Sequence, residues 1–213
     1  MNKVILSTAY FPPLSYMRMV LRSSIALIEL HENFTKQTYR NRCVIYSPGG
    51  KQSLTVPVER GSFHKTPLID LRIDYSKPWQ RLHLRALDTS YNSSAFYEFF
   101  MDDIRKVILK GHRFLYDLNN EVLELVCSIC GIDTPVRFTT EFRNSYDSDN
   151  DMRYNITPKG GEGIQIASDI KYFQVFGVDN GFIPDLSILD LLFNMGPESY
   201  SLLKKEGQNN SPL

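Results

Sequence analysis

The sequence predicts an α/β fold: a small mixed sheet with an N-terminal strand-turn-helix and a β-hairpin, followed by a mainly helical half. Three observations point there. An apolar run, Val4-Ile5-Leu6, meets the turn Thr8-Ala9-Tyr10-Phe11-Pro12-Pro13 and then an amphipathic stretch. Two β-rich runs flank Ser47-Pro48-Gly49-Gly50. Beyond residue 76, apolar residues recur at helical spacing for three successive segments.

Residues 4–7 read as a short buried strand. Ser15 is the expected N-cap of a helix carrying Met17, Val20 and Leu21, and Ala26-Leu27-Ile28 a second strand. Cys43-Val44-Ile45-Tyr46 and Ser53-Leu54-Thr55-Val56-Pro57-Val58 form the hairpin. Pro57 has no N–H for a ladder, so its strand lies at an edge or ends there. The alternation Ile69, Leu71, Ile73 suggests a further half-buried strand.

Ser76 and Pro78 suit the start of a helix that reaches about Ser90, with Trp79, Leu82, His83, Ala86 and Leu87 on one face. A second helix carries Phe96, Phe99, Phe100, Ile104, Val107 and Ile108 as far as Gly111. A third spans 117–130, ended by Gly131. Residues 137–140 form a short strand. Residues 144–163 carry almost no apolar period and predict a flexible loop or a lid over a site. Order returns at 170–176, and Asp185-Leu186-Ser187 caps a helix over 188–193 that is apolar nearly all round, which makes its Asp190 unusual. The whole of 1–213 reads as a single domain with a frayed tail at 207–213.

Composition narrows the function classes. The chain has 24 Lys plus Arg against 24 Asp plus Glu, so no global field draws it to nucleic acid or anionic lipid. No stretch approaches the roughly 20 apolar residues of a spanning helix, and no signal-peptide core is visible. An odd set of 3 cysteines (Cys43, Cys127 and Cys130) favours a reducing cytoplasm.

Attraction must therefore be local, and Glu32-Asn33-Phe34-Thr35-Lys36-Gln37-Thr38-Tyr39-Arg40-Asn41-Arg42 concentrates it. Lys36, Arg40 and Arg42 suit a phosphate or carboxylate, which arginine grips bidentately. The competing reading is a charged sheet edge with surface ion pairs. Asn41 and Tyr10, the latter from the turn after the first strand, would orient the ligand. His83 on the apolar face of its helix is the expected acid–base group, since burial keeps an imidazole neutral. Glu32 is the second candidate base. The same histidine could equally be a structural hydrogen-bonder.

The Cys127-Ser128-Ile129-Cys130 spacing lacks the further ligands of a zinc site, so the cysteines read as packing residues and no metal is expected. Lys159-Gly160-Gly161-Glu162-Gly163 lacks the flanking strand and Lys-Ser/Thr of a P-loop. Nothing in the sequence names a cofactor.

Six pieces in this order resemble the WbqC-like family: Thr8-Ala9-Tyr10-Phe11-Pro12-Pro13, Lys36-Gln37-Thr38-Tyr39-Arg40-Asn41-Arg42, Leu54-Thr55-Val56-Pro57-Val58, Trp79-Gln80-Arg81-Leu82-His83, Tyr91-Asn92-Ser93-Ser94-Ala95-Phe96 and Leu186-Ser187-Ile188-Leu189-Asp190-Leu191-Leu192-Phe193-Asn194. The resemblance implies a bacterial protein of surface polysaccharide (O-antigen) gene clusters, with glycine transfer suggested for the family. The expected function is a cytoplasmic transferase that moves a glycyl or related acyl group to a sugar, with a sugar nucleotide or acyl donor as its anionic partner. The alternatives are a nucleotidyltransferase-like enzyme and a non-catalytic scaffold of the same pathway.

Overall fold

The computed structural model of the protein describes residues 2–59, 66–146, 150–160 and 162–205. Four strands, two of them forming the antiparallel hairpin, lie in the first 55 residues, the remainder is mainly helical, and one later strand joins the parallel sheet. The expected α/β architecture is thus present, with the sheet divided in two.

Strand β1 (Lys3–Ser7) pairs in parallel with β2 (Ile25–Glu29), and β2 with β5 (Val136–Phe138). A chain that doubles back in parallel needs a crossover, and α1 (Leu14–Arg22) supplies it. Residues 150–152 extend the sheet beyond β1: Ile5 N–H donates to the Asn150 carbonyl at 3.0 Å, and Met152 N–H to the Ile5 carbonyl at 2.9 Å. β1 is therefore hydrogen-bonded on both sides and buried, which is why it reads as a continuous apolar run.

The hairpin is β3 (Arg42–Ser47) and β4 (Gly50–Thr55), in register from Arg42 opposite Thr55 to Ser47 opposite Gly50. Pairing stops two residues before Pro57, which has no N–H to donate. Along β3 the side chains alternate: Cys43 and Ile45 are buried, whereas Arg42 and Val44 are half-exposed.

Helices α2 (Trp79–Tyr91), α3 (Tyr97–Leu109) and α4 (Leu115–Cys130) follow, with Gly131 ending α4 in a left-handed conformation at φ 66°. Short helices α5 (Glu162–Ile166) and α6 (Gly177–Asn180) lead to α7 (Ile188–Met195) and α8 (Ser199–Lys204). α7 packs against α1, α3 and β3, so a helix apolar all round sits in the centre.

Several local expectations are corrected. Ser15 does not cap α1: the helix starts at Leu14 after Pro13, and Ser15 binds a distant carboxylate instead. Residues 69–73 form no strand. Leu68–Asp70 is a 3-10 turn, and Ile73 and Arg72 make only isolated bridges, to Val58 and Phe114. Pro78 rather than Ser76 precedes α2. Leu82 and Phe99 are exposed; the buried face of α2 runs through Trp79, His83, Leu84 and Leu87. The short fifth strand falls at 136–138, with Thr139 already beyond it. The expected frayed tail, and residues 147–149 and 161 of the 144–163 segment, lie outside the described residues.

Arg18 of α1 is 1% exposed and holds three elements together. It donates to the carbonyls of Ile166 at 2.6 Å and Leu203 at 3.1 Å, and pairs with Asp169. Replacing Arg18 with Met strands that carboxylate and those carbonyls. The variant should lose about 1–3 kcal/mol in urea unfolding, the range for leaving buried polar groups unsatisfied, because Asp169 keeps 26% side-chain exposure.

Candidate functional site

The 3-10 turn Tyr39–Asn41 decides where each residue of the cationic stretch points. Successive side chains in such a turn are about 120° apart, so neighbours cannot share one face. Arg40 turns inward. It is 3% exposed and grips Glu32 with both ends of its guanidinium, Nε to Oε1 at 2.9 Å and Nη2 to Oε2 at 2.6 Å, while Nη2 also reaches Ser7 Oγ at 2.7 Å. A second buried arginine lies beside it at the carboxyl end of the sheet. Arg153 pairs with Asp151 at 2.6 Å and with Glu29 at 3.4 Å. The void between Arg40, Arg153, Ser7 and Thr8 measures about 10 Å³, room for little beyond one water.

Arg42 turns outward, onto the solvent face of the hairpin. It stands between two hollows that share Gln37 as well. One, about 240 Å³, is lined by Phe34, Lys36, Asn41 and Val58. The other, about 230 Å³, has the hairpin face with Val44, Lys51 and Ser53 as floor, and Tyr39, Lys159 and Asp185 among its walls. Each alone is below the roughly 300 Å³ at which small-molecule sites begin; together they exceed it. The lining carries four cationic side chains, Lys36, Arg42, Lys51 and Lys159, and one acid, Asp185. Two buried polar atoms at this groove, Arg42 Nε and Asn41 Oδ1, have no protein partner, one a donor and one an acceptor.

Backbone strain collects here too. Among the described residues, three non-glycines have positive φ: Phe11 at 39°, Gln37 at 59° and Asp185 at 53°. Gln37 and Asp185 line the groove, and the Phe11 carbonyl accepts from Ser187 Oγ at 2.9 Å, two residues from Asp185. Such conformations persist where surrounding contacts enforce them, and they cluster at working sites.

The predicted residues therefore part company. Lys36, Asn41 and Arg42 come together on the groove. Arg40 and Glu32 neutralise one another in the interior. Tyr10 and His83 meet elsewhere, Tyr10 Oη lying 3.0 Å from His83 Nδ1, with both rings packed against Trp79. Tyr10 is fully buried, His83 is 4% exposed, and neither lines the groove. Convergence of Tyr10, Arg40, Arg42 and His83 on one cavity is not what the fold produces. Burial also pushes the His83 imidazole down to about 4, against the opposing effect of a backbone hydrogen bond with Thr55. The three cysteines are free and buried, consistent with packing roles.

Sequence reasoning missed Lys51, Lys159 and Asp185 as groove residues. Lys51 had a usable signal: it follows the hairpin turn and lies directly opposite Tyr46, which period-2 alternation places on the same face as Arg42. Lys159 and Asp185 arrive from distant segments, and nothing local marks them.

Two measurements separate structural from chemical roles. Glu32→Gln should cost about 3 kcal/mol or more of unfolding free energy by leaving Arg40 buried and unpaired; unchanged stability would restore Glu32 as a base. For His83 the unfolded imidazole binds a proton near pH 6.5 and the folded one only near 4. Stability linked to it is thus present above pH 6.5 and lost as pH falls toward 4. Urea titrations at pH 7 and 4.5 should show the parent losing roughly 2–3 kcal/mol more than His83→Gln does.

Comparison with known proteins places this architecture. A family model described as the WbqC-like protein family matches residues 8–163. The chain is also similar to an uncharacterized protein of Mycobacterium tuberculosis, 28% identical over 231 aligned positions that cover 96% of this chain and 98% of the other. No solved structure matches it. The matched span contains β2 to β5 and the Arg42 side of the groove, and the chain belongs to the WbqC-like protein family.

Proposed function

We propose that the protein is a cytoplasmic transferase of surface polysaccharide (O-antigen) biosynthesis that moves a glycyl or related acyl group to a sugar held as its nucleotide. The observation that carries this reading is the groove centred on Arg42. A guanidinium with a buried Nε left without a protein partner stands beside an unpaired amide oxygen, with lysines on both flanks. A diphosphate lying over Arg42 would take the guanidinium's hydrogen bonds and the lysine charges. The Asn41 amide oxygen would accept from a sugar or ribose hydroxyl. Two hollows on either side of one cation suit a molecule with an anionic middle and two uncharged ends, which describes a nucleotide sugar. The cationic excess is local, in a chain with zero formal net charge, so it acts on small anions within a Debye length rather than on polyanions.

Family membership supports the pathway, and the absence among the described residues of a helix long and apolar enough to cross a membrane is compatible with an enzyme that meets soluble donors. Residues 150–160, which wall both the small void beside Arg40 and part of the groove, fit the role of a lid.

Titration calorimetry with UDP-glucose tests the reading. Arg42→Ala should weaken binding by about 10- to 100-fold, the equivalent of one charge-assisted hydrogen bond at roughly 1.5–3 kcal/mol. Affinity should also fall with added salt. Equal affinity in parent and variant would end the proposal.

A further inference from the structure

The geometry points to Asp185 as the proton-accepting group of the transfer, a role that rests on the groove reading above. His83 and Glu32 cannot reach a bound ligand. Asp185 can: it forms part of the groove wall a short way from Arg42 and Lys51, and retains 8% exposure.

Its position is enforced from three sides. The chain around it is threaded between the first turn and the hairpin, with Leu14 N–H donating to the Leu186 carbonyl at 3.1 Å and Ser187 N–H to the Val44 carbonyl at 2.8 Å. Ser15, at the first turn of α1, donates its backbone N–H to Oδ1 at 2.8 Å and its hydroxyl to Oδ2 at 3.0 Å. Gly163 of α5 closes over the pair. A Cβ at that position would lie 3.0 Å from Asp185 Oδ2 and 3.1 Å from Ser15 Oγ, so only glycine fits without displacing them. Lys159 and Gly163 thus have a use other than cradling phosphate: the first lines the groove and the second roofs the carboxylate.

The charged and titratable neighbours are few. Lys51 from β4 acts on Asp185 across the groove, Lys159 and Arg42 share the lining, and the Tyr39 and Tyr172 phenols each feel the carboxylate. Burial outweighs the Ser15 hydrogen bonds and the Lys51 charge, and it pushes the carboxyl up to about 7. A base of that strength is half ionised at neutral pH, where proton transfer is most effective.

The step balances as follows. The acceptor's amine or hydroxyl lone pair forms the new bond to the carbonyl carbon of an activated acyl ester. The bond to the leaving group breaks, and its electron pair departs with that group. The acceptor's proton passes to Asp185, which returns it to the leaving group. Ser15 is a positioning residue that keeps the carboxylate aimed.

The test uses a glycyl N-acetylcysteamine thioester with UDP-glucosamine, followed by thiol release across pH 5.5–8.5. The parent should show a rising limb with a midpoint near 7. Asp185→Asn should lower turnover at least 100-fold and remove the limb, while UDP-glucose affinity changes less than threefold. Ser15→Ala removes the hydroxyl bond that favours the ionised form while keeping the backbone N–H bond, so its limb should move to higher pH. Carbon-13 titration of the free protein should show a carboxyl midpoint near 7 that vanishes in Asp185→Asn. A midpoint below 5, a limb that neither variant alters, or a parent that releases no thiol overturns the base role. Those results leave the groove standing as long as UDP-glucose binds and Arg42→Ala weakens that binding at least 10-fold; equal affinity in Arg42→Ala overturns the groove instead.

Discussion

The ion pair between Arg40 and Glu32 is the contact on which the arrangement of this protein depends. A guanidinium and a carboxylate that are 3% and 2% exposed cannot remain charged without each other. Their bidentate geometry fixes the turn at 39–41 in rotation as well as in place. The backbone around them is tied down from several directions: Tyr10 N–H donates to the Tyr39 carbonyl, Asn119 Nδ2 to the Arg40 carbonyl, and Val56 N–H to the Asn41 carbonyl. With Arg40 locked inward, Arg42 has only the outer face of the hairpin available. The groove is therefore a consequence of the buried pair.

This divides the molecule's charge into two regimes. At the carboxyl end of the parallel sheet, Arg40 and Arg153 are matched by Glu29, Glu32 and Asp151, and the segment at 150–153 seals them from solvent. That end of a sheet is where open α/β folds ordinarily receive ligands. Here it is occupied by the protein's own charges, and the cations that line the groove lie outside it, on the hairpin side. Tyr39 faces both the small void beside Arg40 and the groove, so a change in one is felt in the other through a single ring.

How far this could be read from the residues depends on range. The strand-turn-helix opening, the hairpin around Pro48-Gly49 and the α4 stop at Gly131 are local signals, and they were legible because turn geometry and apolar period act over a few residues. The alternation at 69–73 misled because backbone bridges to Val58 and Phe114 satisfy that segment without a continuous ladder. The cationic stretch was visible as a cluster, but its division between a buried and an exposed arginine was not: Glu32 sits eight residues before Arg40, and composition does not reveal which cation it will claim. Asp185 was hidden for a stronger reason, since its partner Ser15 is 170 residues away.

The two raised carboxyls of the C-terminal half show why one belongs to chemistry and the other to structure. Asp190 is pushed up to about 6, yet three side chains satisfy it: Tyr91 at 2.8 Å, Tyr172 at 2.6 Å and Gln174 at 3.0 Å. It is 1% exposed and lines neither hollow of the groove, so its hydrogen bonds fix α7 against the rest of the core. Asp185 has one partner residue, a strained backbone, and a face toward the groove. Its folded pKa near 7 lies above the ordinary value of 3.8, so the folded state is favoured below pH 4 and loses that advantage as pH rises toward 7. Ionising it in place costs on the order of 4 kcal/mol relative to the unfolded chain. A lysine or arginine brought within bonding distance would have removed that cost, and three, Arg42, Lys51 and Lys159, line the same hollow. That they remain across it leaves both the cations and the carboxylate available to a third party, the arrangement expected where a ligand completes the network.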